Sequence, residues 1–302
     1  MSGGESTYRK KTEDAKSGAS KAFVRVVCVL ISALLVFCIA AAVCALYNKT
    51  HYKITFYHET SDKISGGIRI AVISDIHCRE YGERSGNLIS DLRSLEPDLI
   101  LFPGDMVIWE QDDYQSMLEL VSAAAAIAPC YGVLGNHESQ RIYFKDDRDL
   151  PEKFGNAGLR LLRNASEDIR VGDDKIRLTG VEGTSYGFEQ YGGREFMDNA
   201  ETDPGAYSIV MAHIPILFKE QLSVYDFDLG IAGHVHGGIV NLPLLGGLYS
   251  DEEGFFPEFS AGKSILGNQQ TLIISAGLGD SKPFPPRINN TPELVVIDIS
   301  PN

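Results

Sequence analysis

The sequence predicts an α/β domain preceded by one hydrophobic helix, and three observations carry the prediction. Five short apolar runs, "IRIAVIS" (68–74), "DLILF" (98–102), "YGVLG" (131–135), "YSIVMA" (207–212) and "DLGIAG" (228–233), each read as a buried strand. Helical patterns separate the first three, and strand–helix alternation of this kind implies an α/β sheet. Upstream, residues 26–47 ("VVCVLISALLVFCIAAAVCALY") hold no charge over 22 positions, enough to cross a bilayer as a helix.

Taken in chain order, the first 25 residues are polar, carry six basic and three acidic groups, and are expected to be disordered. The hydrophobic segment is too long for a signal-peptide core, and no clear small-x-small cleavage site comes after it, so a retained anchor is expected over a cleaved leader. Arg9, Lys10, Lys11, Lys16, Lys21 and Arg25 precede it, while only Lys49 and Lys53 closely follow. The positive-inside rule then places the tail in the cytoplasm and residues 48–302 outside, on a single-pass membrane protein.

Beyond the anchor, "HYKITFYHE" (51–59) alternates Tyr52, Ile54 and Phe56 with polar neighbours and predicts a half-buried strand flanked by solvent-facing His51 and His58. Residues 87–95 set Leu88, Ile89, Leu92 and Leu95 on one helical face before Pro97 stops it, and residues 114–127, rich in Ala, Leu and Met, predict the next helix.

Composition narrows the partners. After the tail, 21 basic groups face 38 acidic ones, a net charge of −17 that repels long nucleic acid. Cys28, Cys38 and Cys44 lie in or beside the span, leaving Cys78 and Cys130 in the folded part, too few for a disulfide-built scaffold. Nothing in the sequence points to a protein partner.

The residues just after each strand carry the chemistry. "IRIAVIS" runs into Asp75-Ile76-His77, "DLILFPG" into Asp105, "YGVLG" into Asn136-His137-Glu138, "YSIVMA" into His213 and "DLGIAG" into His234-Val235-His236. Taken alone, "GHVHGG" (233–238) reads equally as a turn or as a metal site. Five strands ending in Asp, Asn or His are a stronger signal, because ligands of open α/β sheets bind beyond the carboxyl ends of the strands. Imidazole, carboxylate and amide ligands suit Mn, Fe or Zn. Eight such groups exceed the needs of one ion and match two, an arrangement that clamps a phosphoryl centre for in-line displacement.

The series D-x-H, G-D, G-N-H-E, a lone His and G-H-x-H, in this order across residues 68–237, resembles the calcineurin-like metallophosphoesterase superfamily. "GHVHGGIVNLPLLGGLYSDEEGFFPEFSAG", "SAGLGDS" and "PPRINNTPELVVI" are similar to the membrane-anchored bacterial branch that includes cell-envelope phosphoesterases. The resemblance implies a four-layer αββα sandwich that binds two divalent ions, Mn in preference to Fe or Zn. It implies hydrolysis of phosphate mono- or diesters by a metal-bridging hydroxide, and the tether and acidic surface favour a small or lipid-linked envelope substrate. Residue by residue, Asp75, His77 and His236 would bind the first ion, Asp105 would bridge, and Asn136, His213 and His234 would complete the second. His137 would orient the phosphate and protonate the leaving oxygen, with Glu138, Ser74 and Gly135 supporting from behind.

Two positions depart from that branch, Cys78 for a frequent Asn and Ile239 for a frequent Gln. Neither is a ligand, so hydrolysis is unaffected while substrate contacts can differ. Cys78 reads as a small buried filler or a weak third-party ligand, and Arg287 as either a phosphate contact or an ion-pair partner. The rival readings are a UDP-2,3-diacylglucosamine-type pyrophosphatase and a non-catalytic metal-binding scaffold; the intact set of ligands with His137 opposes the scaffold.

Overall fold

The computed structural model describes residues 3–183, 187–267, 269–280 and 286–302, so the ends of the quoted "SAGLGDS" and "PPRINN" stretches lie partly outside the described residues. The chain divides into two units, Met1–Tyr47 and Asn48–Asn302. Helix α1 (Gly3–Asn48) fills the first and continues through the tail where composition predicts disorder. Once a long apolar segment has nucleated a helix, each further residue adds at small cost. The most apolar window of its stretch Phe23–Asn48 has a mean hydropathy of 3.1, and none of that window is buried. That exposure rules out a core helix and leaves a membrane span or a signal sequence.

The second unit is built on two six-stranded sheets. β1 (Lys53–Thr60), β2 (Ile68–Val72), α2 (Gly86–Leu95), β3 (Leu99–Phe102), α3 (Gln115–Ala125), β4 (Cys130–Gly132), α4 (Asn136–Phe144), α5 (Leu150–Asn156) and β5 (Leu159–Leu161) come first. β6 (Ala165–Val171), β7 (Asp174–Val181), α6 (Gly193–Asn199), β8 (Tyr207–Ala212), α7 (Ile216–Glu220) and β9 (Leu229–Ala232) come after them. Two small hairpins come next, β10 (Asn241–Leu242) with β11 (Gly246–Gly247) and β12 (Tyr249–Ser250) with β13 (Gly254–Phe255). β14 (Gly262–Ile265), β15 (Thr271–Ile274) and β16 (Glu293–Ser300) complete the unit.

The first sheet has the order β1-β16-β2-β3-β4-β5 and the second β14-β15-β9-β8-β7-β6. Ile70, Val72, Leu101 and Ile297 of one meet Leu178, Ile209, Met211 and Ile231 of the other in a shared core. The outer face of the first sheet packs on α2, α3 and α5 through Leu88, Leu92, Val121 and Phe154. The second is covered by α6 and α7 through Met197, Leu217 and Phe218. The layers are therefore helix, sheet, sheet, helix, as the resemblance implies. Each buried Leu, Ile or Phe stabilises this stack by about 1.5–3 kcal/mol.

β1 corrects one detail: Phe56, expected to face inward, is 47% exposed, because β1 is an edge strand paired only with β16. The feature that matters for function is direction. β2–β5 are mutually parallel, as are β7, β8, β9 and β15, so their carboxyl ends gather on one edge. The seam between the sheets is stitched there by His234 N donating to Asp75 Oδ1 at 2.8 Å and Leu278 N donating to Ser74 O at 3.0 Å.

Candidate metal centre

Asp75 and His77 follow β2, Asp105 follows β3, Asn136 and His137 open α4 after β4, His213 follows β8, and His234 and His236 follow β9. Asp75, His77, Asp105, His234 and His236 hold φ between 48° and 73°. Non-glycine residues seldom adopt this region, and such outliers persist only where the surroundings impose them. Glycine makes the close approach possible: a Cβ on Gly233 would collide with Asp75 Oδ2, and one on Gly135 with Asp105 Oδ1.

The side chains converge as two groups that share one carboxylate. Asp75, His77 and His236 bring ligand atoms within 4.8 Å of one another, and so do Asp105, His213 and His234. Asp105 Oδ2 lies 3.2 Å from His213 Nε2 and 3.9 Å from His77 Nε2, between the groups. Asn136 Oδ1 is 3.1 Å from His213 Nε2 and joins the second. His77 Nε2 faces His236 Nε2 at 3.1 Å. His137 also lies with Asp105 and His77, its ring 4.7 Å from that of His77. The N–H of Trp109 donates to His137 Nδ1 at 3.1 Å, so a neutral ring carries its proton on Nε2.

Donor chemistry provides the test of fit. Asp75 and Asp105 are buried, and among the described residues no lysine or arginine pairs with either. Buried carboxylates need a compensating cation. Burial opposes charge on His213, yet Asp105 and Asp75 outweigh it and raise its pKa to about 10. Burial drives His77 down to about 3 and His236 well below its usual range, so both stay neutral and keep lone pairs for a ligand. Burial raises the Asp75 pKa, so its carboxylate needs a cation to stay charged. Two carboxylates, the neutral imidazoles of His77 and His236 and the carboxylate-paired His213 at coordinating separations fit divalent cations.

The supporting residues are placed as expected. Ser74 Oγ donates to Asp75 Oδ2. Glu138 accepts the N–H groups of Asp105 at 2.9 Å, Val107 at 2.9 Å and Gly135 at 2.8 Å, tying the β3 loop to α4. Glu138→Gln replaces an acceptor oxygen by an NH₂ that meets one of these donors. It should destabilise the protein by about 1–3 kcal/mol, read as a lower urea midpoint with an unchanged slope. Cys78 is half-buried against the core, its N–H donates to Met106 O at 2.9 Å, and burial pushes its thiol up to about 11. Arg287 is an ion-pair residue: it is buried, Nε donates to Asp280 at 2.7 Å, and Nη2 donates to His236 Nδ1 at 2.9 Å.

A family model for calcineurin-like phosphoesterases matches residues 68–238, more than half of the chain and all eight converging residues. The chain belongs to the calcineurin-like phosphoesterase family. Membership makes it a metal-dependent phosphoesterase and implies divalent metal ions. The chain is 25% identical over 240 residues to phosphodiesterase YaeI of Escherichia coli (strain K12), covering 76% of this chain and 82% of that protein. It is 26% identical over 211 residues to a metallophosphoesterase of Aquifex aeolicus (strain VF5), covering 68% and 73%. Metallophosphoesterase YkuE of Bacillus subtilis (strain 168) is 25% identical over 239 residues, covering 77% and 79%.

One functional residue of this phosphoesterase escaped the sequence. Glu252, on the turn between β12 and β13, puts Oε1 2.7 Å from His234 Nε2. A carboxylate behind a ligating imidazole fixes its tautomer and raises its basicity, and losing such a partner typically costs about 10–100-fold in metal affinity. Glu252→Ala should lose that much at the site His234 serves, measured by competition with a chelator. Asp251, Glu252 and Glu253 form a short acidic run in which no spacing marks the partner of His234.

Proposed function

We propose that this chain is a membrane-anchored phosphate-ester hydrolase with two divalent cations at the converging strand ends. The observation that carries the reading is the position of Asp105, one carboxylate standing between two clusters of neutral or carboxylate-paired imidazoles. Asp75, His77 and His236 would hold one cation, Asn136, His213 and His234 the other, and Asp105 both. When bound, such cations supply Lewis-acid charge at the phosphoryl oxygens and lower the pKa of water, with Mn favoured over Fe or Zn by the carboxylate and amide donors.

The protein's own residues do the positioning. Glu138 holds the Asp105 loop and the start of α4 in register. Trp109 N–H keeps His137 Nδ1 occupied, leaving Nε2–H as the proton that reaches the ester from the cleft wall. That cleft, about 520 Å³, is lined by Asp105, Asn136, His137, His234 and His236 together with Ile239, Tyr249 and Phe255. A mixed polar and apolar wall suits an ester of a small or lipid-linked alcohol, and the name of the YaeI relative favours a diester.

Hydrolysis by the purified full chain of mono-, di- and pyrophosphate esters, with Mn, Fe and Zn in turn, tests the reading. Diester or monoester turnover supports it, and turnover of nucleoside pyrophosphates alone would reassign the substrate. Residues 1–25 are proposed as the cytoplasmic tail, 26–47 as the anchor and 48–302 as the extracytoplasmic catalytic unit. Protease added to intact protoplasts should then degrade the catalytic unit and spare the tail; protection of the unit until lysis would reverse the topology.

A further inference from the structure

The catalytic edge carries exposed apolar residues that its own fold does not use. Leu244 and Leu245 sit in the turn between β10 and β11, with relative exposures of 105% and 64%, and Phe256, just past β13, is 53% exposed. A backbone bond from Leu248 N to Val240 O closes the first hairpin, whose base lines the cleft, and one from Asn241 N to Ile288 O ties it to the stretch before β16. Leu244 and Phe256 also hold φ of 71° and 59°. A bulky side chain in that region is strained, and Gly or Asn would fill such a turn at lower cost. Stability is thus sacrificed twice at Leu244 and Phe256, through exposure and through backbone strain, and at Leu245 through exposure.

The position of residue 48 says what covers them. β1 runs parallel to β16 and β16 antiparallel to β2, so β1 begins at the edge where β2 ends. Asn48 is buried at that edge: its Nδ2 donates to Arg287 O at 3.3 Å, and Arg287 in turn contacts His236. The catalytic unit therefore begins, at Asn48, one residue's contact from the candidate metal centre, at the residue that ends the apolar stretch Phe23–Asn48.

We propose that the tips at Leu244, Leu245 and Phe256 seat the catalytic edge in the interface of the bilayer that anchors the chain, so that the cleft takes a phosphate ester at the level of lipid headgroups. The proposal rests on the reading of this chain as a membrane-anchored phosphoesterase. Apolar burial drives the seating, because Asp251, Glu252 and Glu253 on the neighbouring turn repel anionic lipid. A neutral phosphatidylcholine surface suffices, and added anionic lipid weakens the contact.

The test uses the full chain reconstituted in phosphatidylcholine vesicles. Leu244→Ser/Leu245→Ser/Phe256→Ser should hydrolyse a water-soluble bis-nitrophenyl phosphate at the wild-type rate. On a fluorogenic phosphodiester lipid in the same vesicles it should fall about tenfold or more, the scale set by withdrawing three apolar side chains from an interface. Leu245→Trp should be quenched by acyl-brominated phosphatidylcholine well beyond the native Trp109, the single tryptophan of the chain. Equal lipid-ester rates for variant and wild type, or no added quenching, would overturn the proposal while leaving the phosphoesterase reading intact. Loss of both esters in the wild type would instead defeat the phosphoesterase reading, and the quenching alone would still decide the docking. A concentration-dependent dimer dissolved by the triple substitution would assign the tips to a second copy and overturn the proposal. Release of the wild-type chain from vesicles by alkaline carbonate would remove the anchor and the proposal with it.

Discussion

Asp105→Ala is expected to reduce hydrolysis by on the order of 10³-fold or more, because losing even one positioned electrostatic group costs about 10²–10³-fold. Asp105 stands between the two ligand groups, and its Oδ1 also accepts the N–H of His137 at 2.9 Å. On the proposed two-cation reading its removal takes an anion from both cations, so metal content should collapse at both sites together. His77→Ala provides the contrast, since His77 belongs to the groups around Asp75 and Asp105 but not to that of His213 and His234. Its metal loss should fall mainly on one site. Equal loss of one ion in each variant would contradict a shared Asp105.

His137→Gln should keep both cations and lose about 10²- to 10⁴-fold in rate, the range of general acid catalysis. The loss depends on how much the leaving oxygen needs a proton. An alkoxide needs one far more than a nitrophenolate, so alkyl esters should suffer distinctly more than nitrophenyl esters. The contact from Trp109 N–H to Nδ1 sharpens the comparison, because it directs the proton of the neutral ring to Nε2. A uniform fall on both esters would confine His137 to orienting the phosphate through that N–H. A fall in metal content would make it a ligand.

Much of the site was legible because it is written at strand ends. Apolar runs place β2, β3, β4, β8 and β9 within one to three residues, and the first polar residue after each run is the one that reaches the centre. The helix patterns place α2 and α3 for the same reason, since their inward faces repeat at helical spacing. Elements without such a pattern were lost. β6 and β7 pair Glu167, Asp168 and Arg170 with Leu178, Arg177 and Lys175 at the edge of the second sheet, and that much charge masks a strand period. The insertion of β16 between β1 and β2 is a contact across more than 200 residues that no local pattern encodes. Glu252 supports His234 from a turn where neither periodicity nor spacing marks the partner, whereas Arg287, singled out in the sequence, reaches His236 from a loop.

Elemental analysis of the purified wild-type chain, saturated with Mn and freed of excess metal, tests the two-cation centre most directly. Two ligand groups sharing Asp105 predict two Mn per chain, bound together with phosphate-ester hydrolysis and lost together on chelation. A stoichiometry of one ion per chain at full activity would contradict a dinuclear centre.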